Sequence, residues 1–61
     1  MNIRLKARFF ERGLSQLQVA RAVGISDSML SKVVHGWIEP SKEIKAKVAH
    51  ALGCKVEEIF K

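Results

Sequence analysis

The sequence predicts an all-α fold of five short helices packed around one small core. The four glycines end stretches in which apolar residues recur at helical intervals, and a further break falls at Glu39-Pro40-Ser41. No stretch alternates apolar and polar residues in the manner of a half-buried strand. A chain of 61 residues removes only about 60% of its unfolded surface from water. We therefore expect a single domain over residues 1–61.

The first helix is predicted over residues 2–12, where apolar residues are interleaved with basic ones and Gly13 supplies a left-handed end. Its apolar residues are Ile3, Leu5, Phe9 and Phe10. We expect Phe9 and Phe10 to enter the core, because the chain has few other large apolar side chains.

The second helix is predicted over residues 16–23. Ser15 precedes Gln18 by three positions, the spacing of a capping box in which a hydroxyl and an amide each satisfy a free backbone N–H group. Gly24 ends this helix.

The third helix is predicted over residues 27–35. Ser26 can cap it, and the negative charge of Asp27 in its first turn suits the positive end of a helix. Gly36 ends this helix.

The last two helices follow Pro40, which cannot lie in a helix interior. Ser41 can cap the fourth helix and Gly53 closes it. One stripe of that helix carries Ile44, Val48, Ala49 and Leu52. The spacing of Val56, Ile59 and Phe60 then predicts one more short helical turn.

Composition excludes several classes of protein. The single cysteine, Cys54, forms no internal disulfide and indicates a reducing cytosol. The longest apolar stretch, Ala22 to Ile25, is far below the roughly 20 residues of a membrane span, and no signal-type apolar region follows the N-terminus. We expect a cytoplasmic protein.

Catalytic and metal sites are not expected. His50 and Cys54 are four positions apart, but Gly53 intervenes and no third or fourth ligand is near. No Ser-His-Asp or Cys-His arrangement is apparent. The sequence therefore predicts a protein that is not an enzyme and that needs no cofactor or metal.

The net charge of +5 favours an anionic partner. Residues 1–26 hold five basic residues against one acidic residue, whereas residues 27–61 hold six against five. Any one of these side chains could be merely solvated, and we expect Arg8, Arg12 and Arg21 to contribute to the field rather than to fixed contacts. The asymmetry places the positive field on the first two helices.

Residues 16–35 have the pattern of a helix-turn-helix, in which a short glycine-containing turn lets one helix cross another and project into DNA. The predicted inward positions are all apolar or glycine: Val19, Ala20, Val23, Gly24, Ile25, Leu30 and Val33. We expect the small residues Ala20 and Gly24 to permit the close crossing.

The sequence resembles the phage repressor and Cro family of helix-turn-helix DNA-binding proteins, of the xenobiotic-response-element type. The resemblance covers nearly the whole chain, and its motifs are Leu14-Ser15-Gln16, Val19-Ala20, Val23-Gly24-Ile25-Ser26, Leu30-Ser31, Gly36, Pro40-Ser41, Ala49 and Ala51-Leu52-Gly53. It implies a compact, five-helix, lambda-repressor-like domain and a transcriptional regulator, most simply a repressor. It also implies a prokaryotic or phage origin and association with the nucleoid.

The chain departs from the family pattern in two respects. The family commonly pairs an Arg in helix one with a Glu in helix three, where this chain has Phe9 and Val34. Apolar groups can replace a buried ion pair at little cost in stability, so we expect Phe9 and Val34 to touch. Lys45 stands where the family usually has an apolar residue, and we expect it to bury only its stem or to face a partner.

Base recognition is assigned to the outer side of the third helix, which this motif places in the major groove of double-stranded DNA. The resemblance implies that Asp27, Ser28 and Lys32 read bases. Ser28 can serve any base, Lys32 can donate to guanine, and Met29 can meet a thymine methyl group. Asp27 can accept from a cytosine amino group, or it can instead cap its own helix.

Phosphate contacts are expected from Gln16, Ser26, Ser31, His35, Trp37 and Lys42. Ser41, next to Lys42 at the start of helix four, is a further candidate for such a contact. The resemblance assigns Gln16, at the positive end of helix two, to a phosphate; the alternative is a solvated first-turn residue. Trp37 could equally cover the edge of the core.

Family members usually act as dimers, and we expect the pairing surface around Ile59 and Phe60, with part of helix four. Two other functions are compatible with the sequence. One is a protein-interaction module with an antitoxin-like or coactivator-like role. The other is a membrane-surface anchor formed by the basic first helix.

Overall fold

The computed structural model describes residues 1–60, which form five helices and no strand. The helices are α1 (Ile3–Arg12), α2 (Gln16–Val23), α3 (Asp27–His35), α4 (Lys42–Ala51) and α5 (Val56–Ile59). The predicted all-α fold is confirmed, and α2 and α3 begin and end at their predicted residues.

Serine side chains begin three of the helices. Ser15 Oγ accepts from the Gln18 N–H at 3.1 Å, and Gln18 Oε1 accepts from the Ser15 N–H at 2.8 Å, which confirms the capping box. Ser26 and Ser41 accept in the same way from the N–H groups three residues on, at 3.0 and 3.2 Å. Because these bonds satisfy N–H groups that lack partners inside the helix, the local sequence fixes where α2, α3 and α4 begin.

Asn2 connects the start of the chain to two other helices. Its Oδ1 accepts from the Leu5 N–H at 3.0 Å and so caps α1. Its Nδ2 donates to the Ile59 carbonyl at 2.6 Å, and its backbone N–H donates to the Val34 carbonyl at 2.8 Å. One residue thus holds α1 against both α5 and the end of α3.

The core draws on all five helices, and α2 packs against both α3 and α4. Its buried members are Leu5, Phe9, Val19, Ala20, Val23, Leu30, Val33, Val34, Val48, Ala49, Leu52 and Ile59. Five of the seven predicted inward positions of the helix-turn-helix are among them; Ile25 is half-buried and Gly24 is exposed.

The expectation that Gly24 provides space at the crossing is wrong. A Cβ built on this residue would meet nothing within 4 Å. Its φ of +86° is the reason that glycine suits the position, because side chains disfavour that backbone conformation. Gly24 ends α2 by its conformation, and Ala20, which has no exposed surface, is the small residue of the motif.

Phe10 lies on the surface, contrary to its predicted place in the core. It is 90% exposed, whereas Phe9 is 8% exposed. Adjacent residues point about 100° apart around a helix, so only one of them can share the inward face with Leu5. Ile3 precedes Leu5 by two positions and so points about 200° away from it, and it is exposed as well.

Ile59 is buried, so the prediction that it forms a dimer surface is wrong. Its side chain is 1% exposed and belongs to the core cluster, while Phe60 is half-buried at the edge of that cluster. A side chain that is already buried in the monomer gains little further burial when a second copy binds.

At the first departure from the family pattern neither side chain points to solvent, and the expected contact between Phe9 and Val34 stays a prediction. Phe9 and Val34 are both buried and line the same cleft of about 380 Å³. Lys45 is 22% exposed at its side chain and forms an ion pair with Glu39. Its Nζ lies 5.8 Å from the centre of the Phe60 ring. The aliphatic part of the side chain is therefore largely buried, and the ammonium group interacts with Glu39 and Phe60 of the same chain.

Arg8 forms two ion pairs within the chain, which the sequence did not reveal. Its guanidinium donates to Glu58 Oε1 at 3.0 Å and lies 3.6 Å from Glu11 Oε1. The first of these ion pairs joins α1 to α5.

Cys54 is half-buried, and burial raises the pKa of its thiol. Within residues 1–60, no three His, Cys, Asp or Glu side chains are grouped closely enough to hold a metal ion. None of the helices in that range has the length and apolar character needed to span a membrane.

Candidate nucleic-acid interface

The turn between α2 and α3 is held by a single carbonyl. The Ala20 carbonyl accepts from the N–H groups of both Gly24, at 2.9 Å, and Ile25, at 3.0 Å. The chain then passes directly to Ser26, whose hydroxyl accepts from the Met29 N–H at 3.0 Å. These bonds fix the direction in which α3 leaves α2, and with it the direction of the α3 side chains.

The outer side of α3 presents four polar or flexible side chains to solvent: Asp27, Ser28, Met29 and Lys32. We call this set the recognition face. Ser28 and Lys32 are four residues apart and so lie side by side on one face of the helix. Leu30 and Val33 point into the core. The residues predicted to read bases are therefore exposed to solvent and grouped together.

Gln16 and Asp27 are joined by a hydrogen bond that the sequence did not reveal. Gln16 Nε2 donates to Asp27 Oδ1 at 3.0 Å and lies 3.4 Å from the Asp27 carbonyl oxygen. Each residue is the first of its helix. The bond links residues 11 positions apart, so it depends on the packing of α2 against α3.

The N-cap of α3 excludes one of the two roles considered for Asp27, that of capping its own helix. Ser26 supplies the side-chain cap, so the prediction that Asp27 caps its own helix is wrong. The Ser26 oxygen is occupied as an acceptor, and its hydroxyl hydrogen stays available to a phosphate.

His35 and Trp37 form a small aromatic pair at the end of α3. Their ring centres are 4.9 Å apart with 32° between the planes. His35 Nδ1 donates to the Ser31 carbonyl at 2.8 Å, and Ser31 itself is half-buried. Trp37 is 72% exposed, so the alternative in which it covers the edge of the core is wrong.

Lys42 and Ser41 lie exposed at the start of α4. The Ser41 hydroxyl accepts from the Ile44 N–H. Lys42 makes no ion pair with any described residue, whereas Lys47, one turn further along α4, pairs with Glu43 at 3.1 Å.

Two basic residues of α2 and α3, Arg21 and Lys32, take no part in ion pairs among the described residues. Within residues 1–60, the ion pairs use Arg8, Lys45 and Lys47. The carboxylate on the recognition face belongs to Asp27, which is held by a neutral amide. The face therefore combines an unneutralised cation, a hydroxyl, a thioether and one oriented carboxylate.

Comparisons with known proteins agree with this geometry. The model of the helix-turn-helix family matches residues 5–59. The crystal structure of the clp gene regulator ClgR from Corynebacterium glutamicum is similar, with a TM-score of 0.89 and 31% sequence identity over 95% of this chain. The chain spans 62% of the length of that structure. No curated protein matches the chain at a significant level.

Proposed function

Because the chain belongs to the helix-turn-helix family, we propose that it binds double-stranded DNA in a sequence-specific manner and regulates transcription. In this proposal α3 lies in the major groove and α2 lies over the backbone. The observation that carries it is the exposure of Ser28 and Lys32 on one face of α3, beside buried Leu30 and Val33.

The recognition face supplies different chemistry at each position. Lys32 can donate to the acceptors of guanine, Ser28 can donate or accept, and the Met29 side chain can meet a thymine methyl group. Around it we assign phosphate contacts to the side chains or N–H groups of Gln16, Ser26, Ser31, His35, Trp37 and Lys42. The free N–H groups at the start of α2 add a positive helix end for a phosphate.

Selection from a random duplex pool tests this proposal. We expect the wild-type domain to enrich one sequence, and we expect Lys32→Ala to lose the preference at one base pair. Lys42→Ala should instead weaken binding to all duplexes alike. Lys47→Ala, which removes the same charge from an ion pair on α4, is the control and should change neither. No enrichment by the folded wild-type protein would reject the proposal.

We propose further that the regulator acts in the cytoplasm as a repressor, by occupying an operator that polymerase must cross. The shared fold of a gene regulator supports regulation in general. A reporter gene placed behind the selected sequence should fall in expression when the domain is produced and recover with Lys32→Ala.

Pairing of two copies would place two copies of α3 about 34 Å apart on successive major grooves. With Ile59 buried, the surface that supports pairing is a cleft of about 670 Å³ whose exposed apolar lining includes Met1, Ile3 and Trp37, with Phe60 at its edge. Ile3→Ser should abolish dimers on operator DNA in sedimentation, while Phe10→Ser, outside this cleft, should not. A monomer both free and on DNA would contradict pairing.

A protein-interaction role is the second candidate, and the exposure of Phe10 favours it. The two functions separate with the same variants. If a protein partner is the target, Phe10→Ser should abolish its binding, and Lys32→Ala should have no effect.

A further inference from the structure

A cleft between α1 and the end of α3 joins apolar side chains to the proposed DNA interface. Its volume is about 380 Å³, and we call it the Phe10 cleft. Its lining includes buried Phe9 and Val34, which form the floor, and exposed Met1 and Phe10, which form a wall. Isolated apolar side chains are ordinary on a protein surface, but apolar side chains that share one cleft mark an interaction site.

The polar lining of the Phe10 cleft carries positive charge. Lys6 precedes Phe10 by four residues, so the two side chains lie next to each other on α1. Lys6 forms no ion pair with any described residue, and the described lining contains no acidic residue. The carboxylate in contact with the lining is that of Asp27, which Gln16 already binds at 3.0 Å. A ligand of this cleft therefore combines an apolar group with a negative charge.

Two residues of the cleft also belong to the proposed DNA interface. Gln16 and His35 line the cleft, and both are proposed phosphate contacts. A DNA phosphate would meet these polar groups but would leave the apolar floor uncovered. A ligand that fills the cleft therefore competes with DNA for Gln16 and His35.

Resting on the proposed DNA-binding function, we propose that the Phe10 cleft binds an acidic segment of a partner protein and that this binding displaces operator DNA. The segment covers the floor of the cleft with one large apolar side chain and places a carboxylate at Lys6. Because the segment and a DNA backbone both occupy Gln16 and His35, each lowers the affinity of the domain for the other by the same factor. The protein contact then controls DNA binding instead of replacing it.

A peptide segment suits this cleft better than a membrane surface does. A bilayer presents a broad, flat surface, whereas Phe9 and Val34 are recessed, with 8% and 4% of their surface exposed. A short segment can enter the cleft with one anchoring side chain and keep its charged neighbours at the rim.

Selection from a library of random short peptides, with the immobilised domain as bait, tests the ligand. We expect the enriched peptides to carry a large apolar residue next to Asp or Glu. Phe10→Ser should weaken the binding of such a peptide by about tenfold or more, because aromatic side chains dominate the affinity of small interfaces. Ile3→Ser, which removes an exposed apolar side chain of α1 outside this cleft, is the matched control and should leave peptide binding unchanged.

The charge of Lys6 is tested with the same peptide. Lys6→Ala should weaken peptide binding by about twofold to fivefold and make it less dependent on salt. Lys47→Ala removes the same charge from α4, away from the cleft, and should change neither. Unchanged melting temperatures verify that these variants keep the fold.

Competition between the two ligands tests the control of DNA binding. An enriched peptide should release a labelled, selected duplex from the wild-type domain, as followed by fluorescence anisotropy. Phe10→Ser should bind the duplex with wild-type affinity, but release should require more peptide, by the same factor as the loss of peptide affinity. Lys32→Ala should lose the preference for the selected duplex and still bind the peptide as the wild type does.

The outcomes separate this inference from the proposed function. If the wild-type domain enriches no duplex, both fail. If it enriches a duplex, but Phe10→Ser leaves peptide binding unchanged, or the peptide and the duplex bind together, only the inference about the cleft is rejected. Binding to phosphatidylglycerol vesicles that Phe10→Ser abolishes, with no peptide enriched, would overturn the peptide ligand and identify a lipid surface in its place.

Discussion

At the scale of single residues, Phe9 and Phe10 are chain neighbours with opposite environments. Phe9 packs in the core between α1 and α3, and Phe10 is 90% exposed. Composition could not separate them, since both are large and apolar. The direction of the inward face of α1 separates them, and that direction depends on how α1 packs against the other helices.

Replacing the two phenylalanines in turn should therefore give unequal results. Phe9→Ala should cost about 3–5 kcal/mol of unfolding free energy, because it leaves a cavity in the core. That is comparable to the whole stability a core of this size supplies, roughly 3–5 kcal/mol. Phe10→Ala should change stability by about 0.5 kcal/mol or less. Urea unfolding followed by circular dichroism checks both, and equal losses would contradict the assigned faces.

The left-handed backbone conformation of Gly24 determines what a side chain at this position costs in stability. Its φ is +86° and the space around it is open, so a side chain meets only the backbone penalty. Gly24→Ala should lower stability by roughly 1–2 kcal/mol. Gly24→Asn should lose less, because asparagine tolerates this conformation better. If the two variants lose the same amount, crowding rather than backbone conformation governs the position.

At the scale of elements, α5 is short and depends on its neighbours. It has four residues, and the side chain of its N-cap residue, Lys55, makes no capping hydrogen bond. Glu58 instead accepts from the Lys55 N–H at 2.7 Å through Oε2 and from the Arg8 guanidinium at 3.0 Å through Oε1. This one carboxylate both begins α5 and attaches it to α1.

The backbone hydrogen bond from Lys55, followed by the charge of Arg8, holds the pKa of Glu58 below its ordinary value of 4.5. A lowered pKa in the folded state means that the ionised form stabilises the fold above the ordinary value. That contribution is lost as pH falls below 4.5 through the folded-state pKa.

Glu58→Gln should therefore be less stable than the wild type at neutral pH, with a gap that closes as the solution is acidified. The introduced amide oxygen can still accept from the Lys55 N–H, so the comparison removes the charge together with its hydrogen bond to Arg8 and keeps the bond that begins α5. Urea midpoints of both proteins across this pH range measure the gap. A gap that stays constant with pH would show that the charge of Glu58 does not stabilise the fold.

At the scale of the whole molecule, the sequence predicts the helices better than it predicts their relations. The capping serines and the glycines act within a few residues, so the ends of α2 and α3 can be predicted from local pattern. The Gln16–Asp27 bond and the burial of Ile59 depend on packing between distant segments, which no local pattern encodes. An Asn just before a helical stretch was a usable signal for the cap of α1, but not for its bond to Ile59.

The net charge of +5 leads to a prediction for the whole molecule in solution. Affinity for duplex DNA should fall as salt rises, with a log–log slope of about −0.9 for each phosphate neutralised. Lys42→Ala should reduce the magnitude of that slope by about one unit, while Lys47→Ala should leave it unchanged. Titrations at several salt concentrations measure the slopes, and a slope near zero would favour a protein partner.

The bond from Asn2 to Ile59 joins residues 57 positions apart, so the backbone nearly closes into a ring. A circular permutant that bridges these two residues with a short linker, and opens between α3 and α4, would preserve all five helices. It would also give α3 a new terminus at its far end. A label or fused protein attached there would sit beside the aromatic pair rather than beside the Asn2–Ile59 bond.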